Sequence, residues 1–304
     1  MKIVIALGGN ALISSKEQGK HSEILRNCKN TIEQLKPLLT KNKVIITHGN
    51  GREIGTLVLQ NEKTEQEIPK MPLDILDAET EGQLGYMIGQ TVKNITKKNV
   101  VTVLTQVLVD KKDKGFKNQT KFIGPFYTKE KAQKLSKQGY VIKKDSNRGY
   151  RRVVASPLPQ EIIELPVIEH LLNKHMTVIA TGGGGIPVIK EKARLKGVEA
   201  VIDKDLASSL LAQKINANLL IIITDVNKVH LNFGEKNQIA LSKLKVSEAK
   251  KYMKENQFPA GSMGPKIQAA INFLTKPNRK VIITNIRNIR KALEGKEGTL
   301  ITKG

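Results

Sequence analysis

The chain has 304 residues, of which 39% are hydrophobic, and 51 Lys and Arg against 28 Asp and Glu give it a formal net charge of +23. No apolar run reaches the roughly 18 residues of a transmembrane helix, and the N-terminal run from Ile3 to Leu7 is too short for a secretory signal. A single cysteine, Cys28, excludes an intrachain disulfide framework and a zinc cluster built on cysteines. We therefore expect a globular cytoplasmic protein without a membrane partner.

Short, continuous runs of aliphatic and β-branched residues recur along the chain, a pattern typical of strands buried on both faces of a parallel sheet. They predict strands over 2–7, 43–47, 100–105, 177–181, 219–224 and 280–284. Helical periodicity between them predicts helices over 22–39, 77–97 and 266–274. Cys28 lies on the apolar stripe of the first helix, which Pro37 is expected to kink or end early. The alternation of strands and helices predicts a doubly wound α/β fold.

The stretch between about residues 110 and 166 interrupts this alternation. It is polar, basic and rich in turn-forming residues, and it is too long for an ordinary loop in a compact domain. We predict that residues 111–165 form a lid-like subdomain inserted within a single domain that spans residues 1–304.

The large positive charge is compatible with two interpretations. One is a phosphate-rich partner, and the other is a basic bias spread over solvated surfaces. Aromatic residues make up only 4% of the chain and Trp is absent, so platforms for stacking bases are scarce. The sequence also lacks zinc-finger, basic-zipper and aromatic RNA-binding motifs. We predict no specific nucleic-acid partner, and a non-catalytic basic protein that binds nucleic acid is kept as an alternative.

Glycine-rich segments follow three of the predicted strands, as GGN at 8–10, HGNG at 48–51 and GGGG at 182–185. Parallel strands end at one edge of a sheet, where ligands bind, and bare backbone N–H groups there bind anions. Each segment alone is compatible with a tight turn, but the set predicts a phosphate site. The chain has no G-x-x-x-x-G-K-[ST] loop, and Pro187 occupies a glycine position of the dinucleotide fingerprint. A P-loop NTPase and a Rossmann dehydrogenase are therefore disfavoured.

Nine motifs occur in a fixed order over nearly the whole chain. They are IALGGNAL (5–12), ITHGNG (46–51), GYMIGQ (85–90), IGPFY (123–127), RGYRRVVASPLP (148–159), TGGGGIPV (181–188), GVEAVIDKDLAS (197–208), TDVN (224–227) and AGSMGPKI (260–267). On these residues the sequence resembles the carbamate kinases, a branch of the amino-acid kinase family. The resemblance implies a three-layer sandwich with an open, mostly parallel central sheet, a small protruding subdomain and a homodimer.

The resemblance also implies the reaction, a reversible phosphoryl transfer between ATP or ADP and carbamate or carbamoyl phosphate. It implies that this transfer forms ATP in arginine catabolism. Mg²⁺ is expected to arrive on the nucleotide phosphates rather than at a metal site of the protein.

Four residues are expected to carry the catalysis because phosphoryl transfer depends on positioning and on positive charge over the transferred group. By resemblance these are Lys121, Lys204, Asp205 and Lys266. Asp205 is expected to hold the lysines charged and fixed, while capping of a helix by Asp203 or Asp205 is an alternative role. His48 is interpreted as a structural partner of the loop backbone.

Further residues are assigned to the two substrates by the same resemblance. The acceptor and phosphoryl side comprises Gly8, Gly9, Asn10, Gly49, Asn50, Gly51 and Arg151. The nucleotide side comprises Gly182, Gly183, Asp225, Tyr252, Met263 and Gly264. For Tyr252 and Met263, core packing is an equally good interpretation, and Arg151 together with Arg152 is compatible with holding either the lid or the anion.

Three positions depart from the family pattern. Arg52 replaces a proline beside the expected acceptor site, Phe122 replaces a proline after the lid lysine, and Tyr150 replaces a tryptophan. None of these changes removes an expected catalytic group. Arg52 motivates an alternative in which a kinase of the same fold acts on another small carboxylate or on a phosphate acceptor.

Overall fold

The computed structural model describes residues 1–13, 17–145, 149–259 and 261–304, apart from the side chain of Asn10. The strands are β1 (Lys2–Leu7), β2 (Lys43–His48), β3 (Val100–Thr102), β4 (Gln106–Val109), β5 (Lys121–Tyr127), β6 (Ile142–Lys144), β7 (Tyr150–Val154), β8 (Pro159–Ile162), β9 (Thr177–Ile179), β10 (Ile186–Glu191), β11 (Arg194–Gly197), β12 (Leu219–Ile223), β13 (Val229–Leu231), β14 (Ile239–Leu241), β15 (Lys243–Lys245), β16 (Lys280–Thr284) and β17 (Thr299–Thr302). The helices are α1 (His21–Lys41), α2 (Gly51–Thr64), α3 (Leu73–Thr96), α4 (Lys114–Lys117), α5 (Lys129–Lys137), α6 (Leu165–Asn173), α7 (Lys204–Lys214), α8 (Val246–Lys254), α9 (Met263–Phe273) and α10 (Ile289–Leu293).

A central sheet of eight strands has the order β15-β17-β16-β12-β1-β2-β9-β3. Its neighbouring strands pair in parallel, except that β17 runs antiparallel to β16. All six strands predicted from the apolar runs lie in this sheet. The predicted α/β class with an open, mostly parallel central sheet is therefore confirmed.

The continuous apolar strands arise because both faces of this sheet are covered by helices. Along β1, Ile3 and Ile5 belong to one core cluster and Val4 and Ala6 to another, in keeping with the two-residue period of a strand. The first cluster also takes in buried residues of α1, α3 and α10, and the second takes in residues of α6, α7, α8 and α9. Cys28 lies fully buried in the first cluster, as predicted.

Helix α1 runs through Pro37 to Lys41, so the prediction that proline would end it early is wrong. A proline within a helix leaves the carbonyl four residues earlier without its usual N–H donor. Here that carbonyl belongs to Glu33, and the Arg290 guanidinium donates to it at 3.3 Å. The neighbouring Leu35, Leu38 and Leu39 are buried in the core, so packing favours a continuous helix.

The predicted insertion at 111–165 contains a separate antiparallel sheet of three strands in the order β5-β7-β6, with α5 beside it. Strand β8 instead pairs with β4 in a second sheet of four strands, β11-β10-β4-β8. Strand β5 packs against α2 so closely that a Cβ on Gly55 would overlap the backbone of Gly124. We call residues 121–154 the lid. Across the described ranges, we find no helix with the length and apolar character of a membrane span.

Candidate active site

The candidate site lies at the carboxyl edge of the central sheet, where the chain leaves β1, β2, β9 and β12. The Gly8 amide donates to the Ile223 carbonyl at 2.9 Å, and the Gly49 amide donates to Leu7 at 3.0 Å. These bonds hold the first two glycine loops against the strand ends. They also use both amides within the sheet edge, whereas the resemblance implies that the Gly8 amide faces the transferred phosphoryl group.

Three lysines and two aspartates meet beside these loops, from the lid and from two helices. The Nζ atom of Lys204 donates to Asp205 Oδ1 at 2.5 Å, and that of Lys266 donates to Asp205 Oδ2 at 3.0 Å. Lys121 on the lid reaches Asp203 Oδ2 at 2.8 Å. The structure therefore brings together all four of the residues that were expected to be catalytic. We call Lys121, Asp203, Lys204, Asp205 and Lys266 the lysine–aspartate cluster.

The cluster carries one more positive than negative charge, and its inner members are largely buried. Burial alone would raise the pKa of Asp205, but the nearby Lys204 and Lys266 outweigh it and hold that pKa well below the usual range. Burial likewise opposes the charge on Lys266, yet the carboxylates of Asp205 and Asp203 raise its pKa above the ordinary value. Asp205 is thus ionised and paired at neutral pH, and the cluster favours an additional anion.

Asp203 has a second role that follows from local sequence. Its Oδ1 atom accepts from the amides of Asp205 at 2.9 Å and Leu206 at 3.4 Å, which caps the start of α7. One side chain therefore caps the helix through one oxygen and binds the lid lysine through the other. From the sequence Asp203 is only a possible helix cap, and no motif indicates its pairing with Lys121.

The first two glycine loops leave room beside the cluster. A Cβ on Gly9 would meet no atom within 4 Å, and one on Gly51 would meet only the Phe122 carbonyl oxygen, at 3.7 Å. A Cβ on Gly49 would lie 3.4 Å from the Gly9 amide nitrogen and 3.5 Å from the Lys204 side chain. The β1 loop, the β2 loop and the cluster therefore surround a common space. Of Asn10 only the backbone is described, so its predicted role lies outside the described side chains.

The Asn50 side chain binds helix α3 and does not face the acceptor, although the sequence predicted that it would. Its side-chain amide donates one hydrogen to Asp77 Oδ1 at 2.7 Å and the other to Thr80 Oγ1 at 2.9 Å, both on α3. No amide hydrogen remains for a bound acceptor in this arrangement. Asn50 also has φ −136°, so it is not the left-handed turn residue of the alternative interpretation. It anchors the β2 loop instead.

The four glycines at 182–185 were expected to clear space for nucleotide phosphate, and the structure accounts for them in another way. They follow β9, which adjoins β2 and lies on the opposite side of β1 from β12. A side chain on Gly182 would overlap His48, and one on Gly183 would overlap the Asn50 amide. The φ values of Gly183, Gly184 and Gly185 are all positive, at 68°, 111° and 87°. Close packing and positive φ require these glycines, which lie on the β2 side of β1.

Three buried titratable groups lie behind the loops that follow β2 and β9. Burial lowers the pKa of His48 to about 4, so its ring is neutral at physiological pH, and its Nδ1 lies 3.4 Å from the Gly49 carbonyl oxygen. This agrees with a structural role for His48. Burial raises the pKa of Glu81 to about 8 and raises that of Asp77 well above its usual range. Sequence reasoning missed both acids, because their motif GYMIGQ begins only after them.

The arginines of the lid bind lid and helix residues. Arg151 donates to the Gly124 carbonyl at 3.0 Å and to Asp145 at 3.3 Å, and its guanidinium lies 5.1 Å from the Phe126 ring centroid. Arg152 pairs with Glu62 of α2. For Arg151, assigned to substrate binding from the sequence, these contacts favour the alternative of holding the lid together.

The expected nucleotide residues lie on the β12 side of β1, with the exception of the glycines after β9. Asp225 follows β12 and is close enough for its charge to raise the pKa of Lys266. Tyr252 packs against Phe258 with ring centroids 6.5 Å apart. Tyr252 and Met263 both pack against the core cluster that contains Val4 and Ala6 of β1. The Gly264 amide donates to Pro259 at 2.9 Å. Core packing thus accounts for Tyr252 and Met263, the alternative that the sequence left open.

Comparison with known proteins identifies relatives of the whole chain. The amino acid kinase family matches residues 1–285. The chain is 45% identical over 310 residues to the carbamate kinase of Pyrococcus horikoshii, covering 99% of each. It is 47% identical over 313 residues to carbamate kinase 2 of Staphylococcus aureus strain MRSA252, covering 99% of this chain and 98% of that protein.

A solved structure gives the same result for the fold. Carbamate kinase from Giardia lamblia bound to citric acid has a TM-score of 0.94 and 41% identity, over 100% of this chain and 98% of that one. The same Giardia protein bound to AMP-PNP has a TM-score of 0.89. The chain therefore belongs to the amino acid kinase family and, within it, to the carbamate kinases.

Proposed function

We propose that this chain catalyses reversible phosphoryl transfer between ATP or ADP and carbamate or carbamoyl phosphate. One observation carries the proposal: in a chain 45% identical to a carbamate kinase, Lys121, Lys204 and Lys266 converge on two aspartates beside open glycine loops. Phosphoryl transfer requires little covalent participation by the protein and much positioned positive charge. This cluster supplies such charge in a partly buried setting.

The three lysines have distinct roles in the proposed mechanism. Lys204 lies beside Gly49 and Gly9, between the acceptor and donor sides, and is placed to neutralise the transferred group. Lys266 enters from the nucleotide side, where Asp225 adds to its field. Lys121 comes from the lid, so its charge enters the site only when the lid lies against α7. Charges that are fixed in advance stabilise developing charge without costly reorganisation.

Asp205 orients the two inner lysines rather than acting as a base. Each of its carboxylate oxygens accepts from one lysine, at 2.5 and 3.0 Å, which fixes both Nζ atoms relative to each other. A paired aspartate with a lowered pKa is a poor proton acceptor at neutral pH. A carbamate oxygen is already anionic and needs no general base to attack the phosphoryl group.

Mg²⁺ is proposed to enter with the nucleotide as part of the substrate. Both carboxylates of the cluster are engaged by lysines. The described ranges also contain no group of three His, Cys, Asp or Glu side chains arranged to hold a metal. These features fit a metal held mainly by phosphate oxygens. When bound, the ion neutralises charge on those phosphates.

The proposal also covers the direction of the reaction, the oligomeric state of the enzyme and its location in the cell. By the resemblance to carbamate kinases, we propose that the cytoplasmic enzyme is a homodimer and forms ATP during arginine catabolism. Light scattering coupled to gel filtration tests the dimer, since a homodimer has twice the 33.6 kDa mass of the chain. A mass of a single chain at assay concentration would remove that part of the proposal.

The hypothesis of another acceptor was based on Arg52. The contacts of Arg52 give it a structural role instead. The guanidinium donates to the Glu17 carbonyl and lies beside Gly19, so it contacts the segment that follows the first glycine loop. We therefore propose carbamate as the acceptor. A panel with ATP, Mg²⁺ and either carbamate, acetate or a nucleoside monophosphate tests this choice. Faster ADP release with acetate or the monophosphate would contradict it.

A further inference from the structure

We infer that Asp77 and Glu81, two buried acids on α3, are positioning residues for the acceptor half of the site. The inference rests on the proposed function, because it concerns how the acceptor is held. Both residues are only 1% exposed, and their spacing of one helical turn puts them on the same face of α3. Neither belongs to a sequence feature that pointed to the site.

Their burial calls for an explanation, because carboxyl groups in protein interiors are normally paired with cations. Among the described residues, no lysine, arginine or histidine forms a salt bridge with either acid. Both acids instead accept hydrogen bonds from neutral N–H groups of two loops at the sheet edge. These hydrogen bonds indicate that the two acids hold the loops in position.

Asp77 holds the loop after β2. Its Oδ1 atom accepts from the Asn50 side chain at 2.7 Å, and Asn50 also donates to Thr80 at 2.9 Å. The Thr80 hydroxyl donates in turn to the Asp77 carbonyl at 2.9 Å. Both hydrogens of the Asn50 amide are therefore bound by one turn of α3, which fixes the residue between Gly49 and Gly51.

Glu81 holds the loop after β9. One carboxyl oxygen accepts from the Gly182 amide at 2.8 Å and the other accepts from the Thr105 amide at 3.0 Å. The Thr105 hydroxyl accepts from the Thr181 amide at 2.9 Å, which extends the same network. A side chain that receives two backbone N–H groups with its two oxygens fixes their separation.

The two loops also touch each other, so one helical turn sets their relative position. A side chain on Gly183 would overlap Asn50, while Gly49 on the other side of Asn50 approaches Gly9 and Lys204. Displacement of the β2 loop would therefore move the wall of the acceptor space relative to the lysine. An error of about 1 Å in the placement of reacting groups can lower a rate by roughly 100-fold. The nucleotide half, on the far side of β1, should be spared.

The test is steady-state kinetics of ATP formation, with carbamoyl phosphate and ADP varied separately. For Asp77→Ala we expect kcat/KM for carbamoyl phosphate to fall roughly 10- to 100-fold, while the KM for ADP stays within about twofold. Asp77→Asn keeps an acceptor oxygen and should recover to within about threefold of the wild type. Glu81→Gln offers one oxygen to two amides and should show the same selective loss.

The matched control is Thr91→Val, a near-isosteric change at another buried residue of α3, whose hydroxyl bonds only within the helix to Met87. It should leave both KM values unchanged. If Asp77→Ala does not fold, Thr80→Val removes a single acceptor of Asn50 and should shift the carbamoyl phosphate KM alone, by a smaller factor. An equal change in both KM values, or no change in any folded variant, would overturn the inference. A wild-type chain without ATP formation would instead refute the proposed function.

Discussion

The Nζ atom of Lys266 donates to Asp205 Oδ2 across 3.0 Å, and this ion pair joins the start of α9 to the start of α7. The two residues are 61 positions apart in the sequence. Their side chains are 14% and 4% exposed, so solvent screens the pair weakly. The pair therefore fixes a charged lysine within the lysine–aspartate cluster.

Replacing Lys266 with alanine should lower kcat without unfolding the protein. Loss of one preorganised group that stabilises developing charge costs roughly 10²- to 10³-fold in rate. The same charge change at the exposed Lys36 of α1 provides the control and should leave kcat unaltered. Rapid-quench or coupled measurement of ATP formation, beside circular dichroism, checks the result. A folded Lys266→Ala variant with the wild-type rate would remove this lysine from the mechanism.

Asp203 allows helix capping and lid binding to be separated. Asparagine caps a helix nearly as well as aspartate, whereas alanine loses about 0.5–2 kcal/mol of stability. Both substitutions remove the charge that Lys121 contacts at 2.8 Å. We expect Asp203→Asn to lower the free energy of unfolding only by the lost ion pair, and Asp203→Ala to lower it further by the lost cap, while kcat falls by roughly tenfold in both. If Asp203→Asn retained full activity, the Lys121 contact would be irrelevant to turnover.

The Asp205 ion pairs should make stability depend on pH in a definite direction. Because the pKa of Asp205 is held below its ordinary value, its stabilisation is complete above the unfolded pKa of about 3.9 and declines as the pH falls further. At pH 7, Asp205→Asn leaves Lys204 and Lys266 without their carboxylate and should cost about 3–5 kcal/mol.

Urea unfolding of both proteins between pH 3 and pH 8 measures this dependence. The difference in free energy of unfolding between the wild type and Asp205→Asn should be constant from pH 5 to pH 8. It should become smaller below about pH 4. Glu235→Gln removes an exposed carboxylate and should open no such gap. A gap that widened on acidification would show that Asp205 is not the stabilising carboxylate.

The strands and the apolar stripe through Cys28 were predictable because burial imposes an order of apolar residues that is visible in the sequence. The continuation of α1 through Pro37 was not predictable, since it depends on core packing around the proline and on Arg290, whose contact with Glu33 spans 257 positions. Local propensity cannot register a donor supplied from so far along the chain.

The candidate site also contains residues that motifs predicted and residues whose roles depend on the tertiary structure. Lys121, Lys204, Asp205 and Lys266 could be named from motifs, and the structure brings them together. The role of Gly182 and Gly183 was assigned to the nucleotide because a glycine run suggests phosphate, whereas strand order places β9 beside β2. Strand order is a tertiary property that no single motif records. Asp77 was hidden for a related reason: an acid on a helix looks solvated until its neighbours are known.

ATP formation from ADP, Mg²⁺ and carbamoyl phosphate by the purified chain tests the central claim most directly. We expect ATP to form well above the spontaneous breakdown of carbamoyl phosphate, and Lys266→Ala to abolish most of that excess. A folded wild-type chain that binds ADP but forms no ATP above background would contradict the proposed reaction.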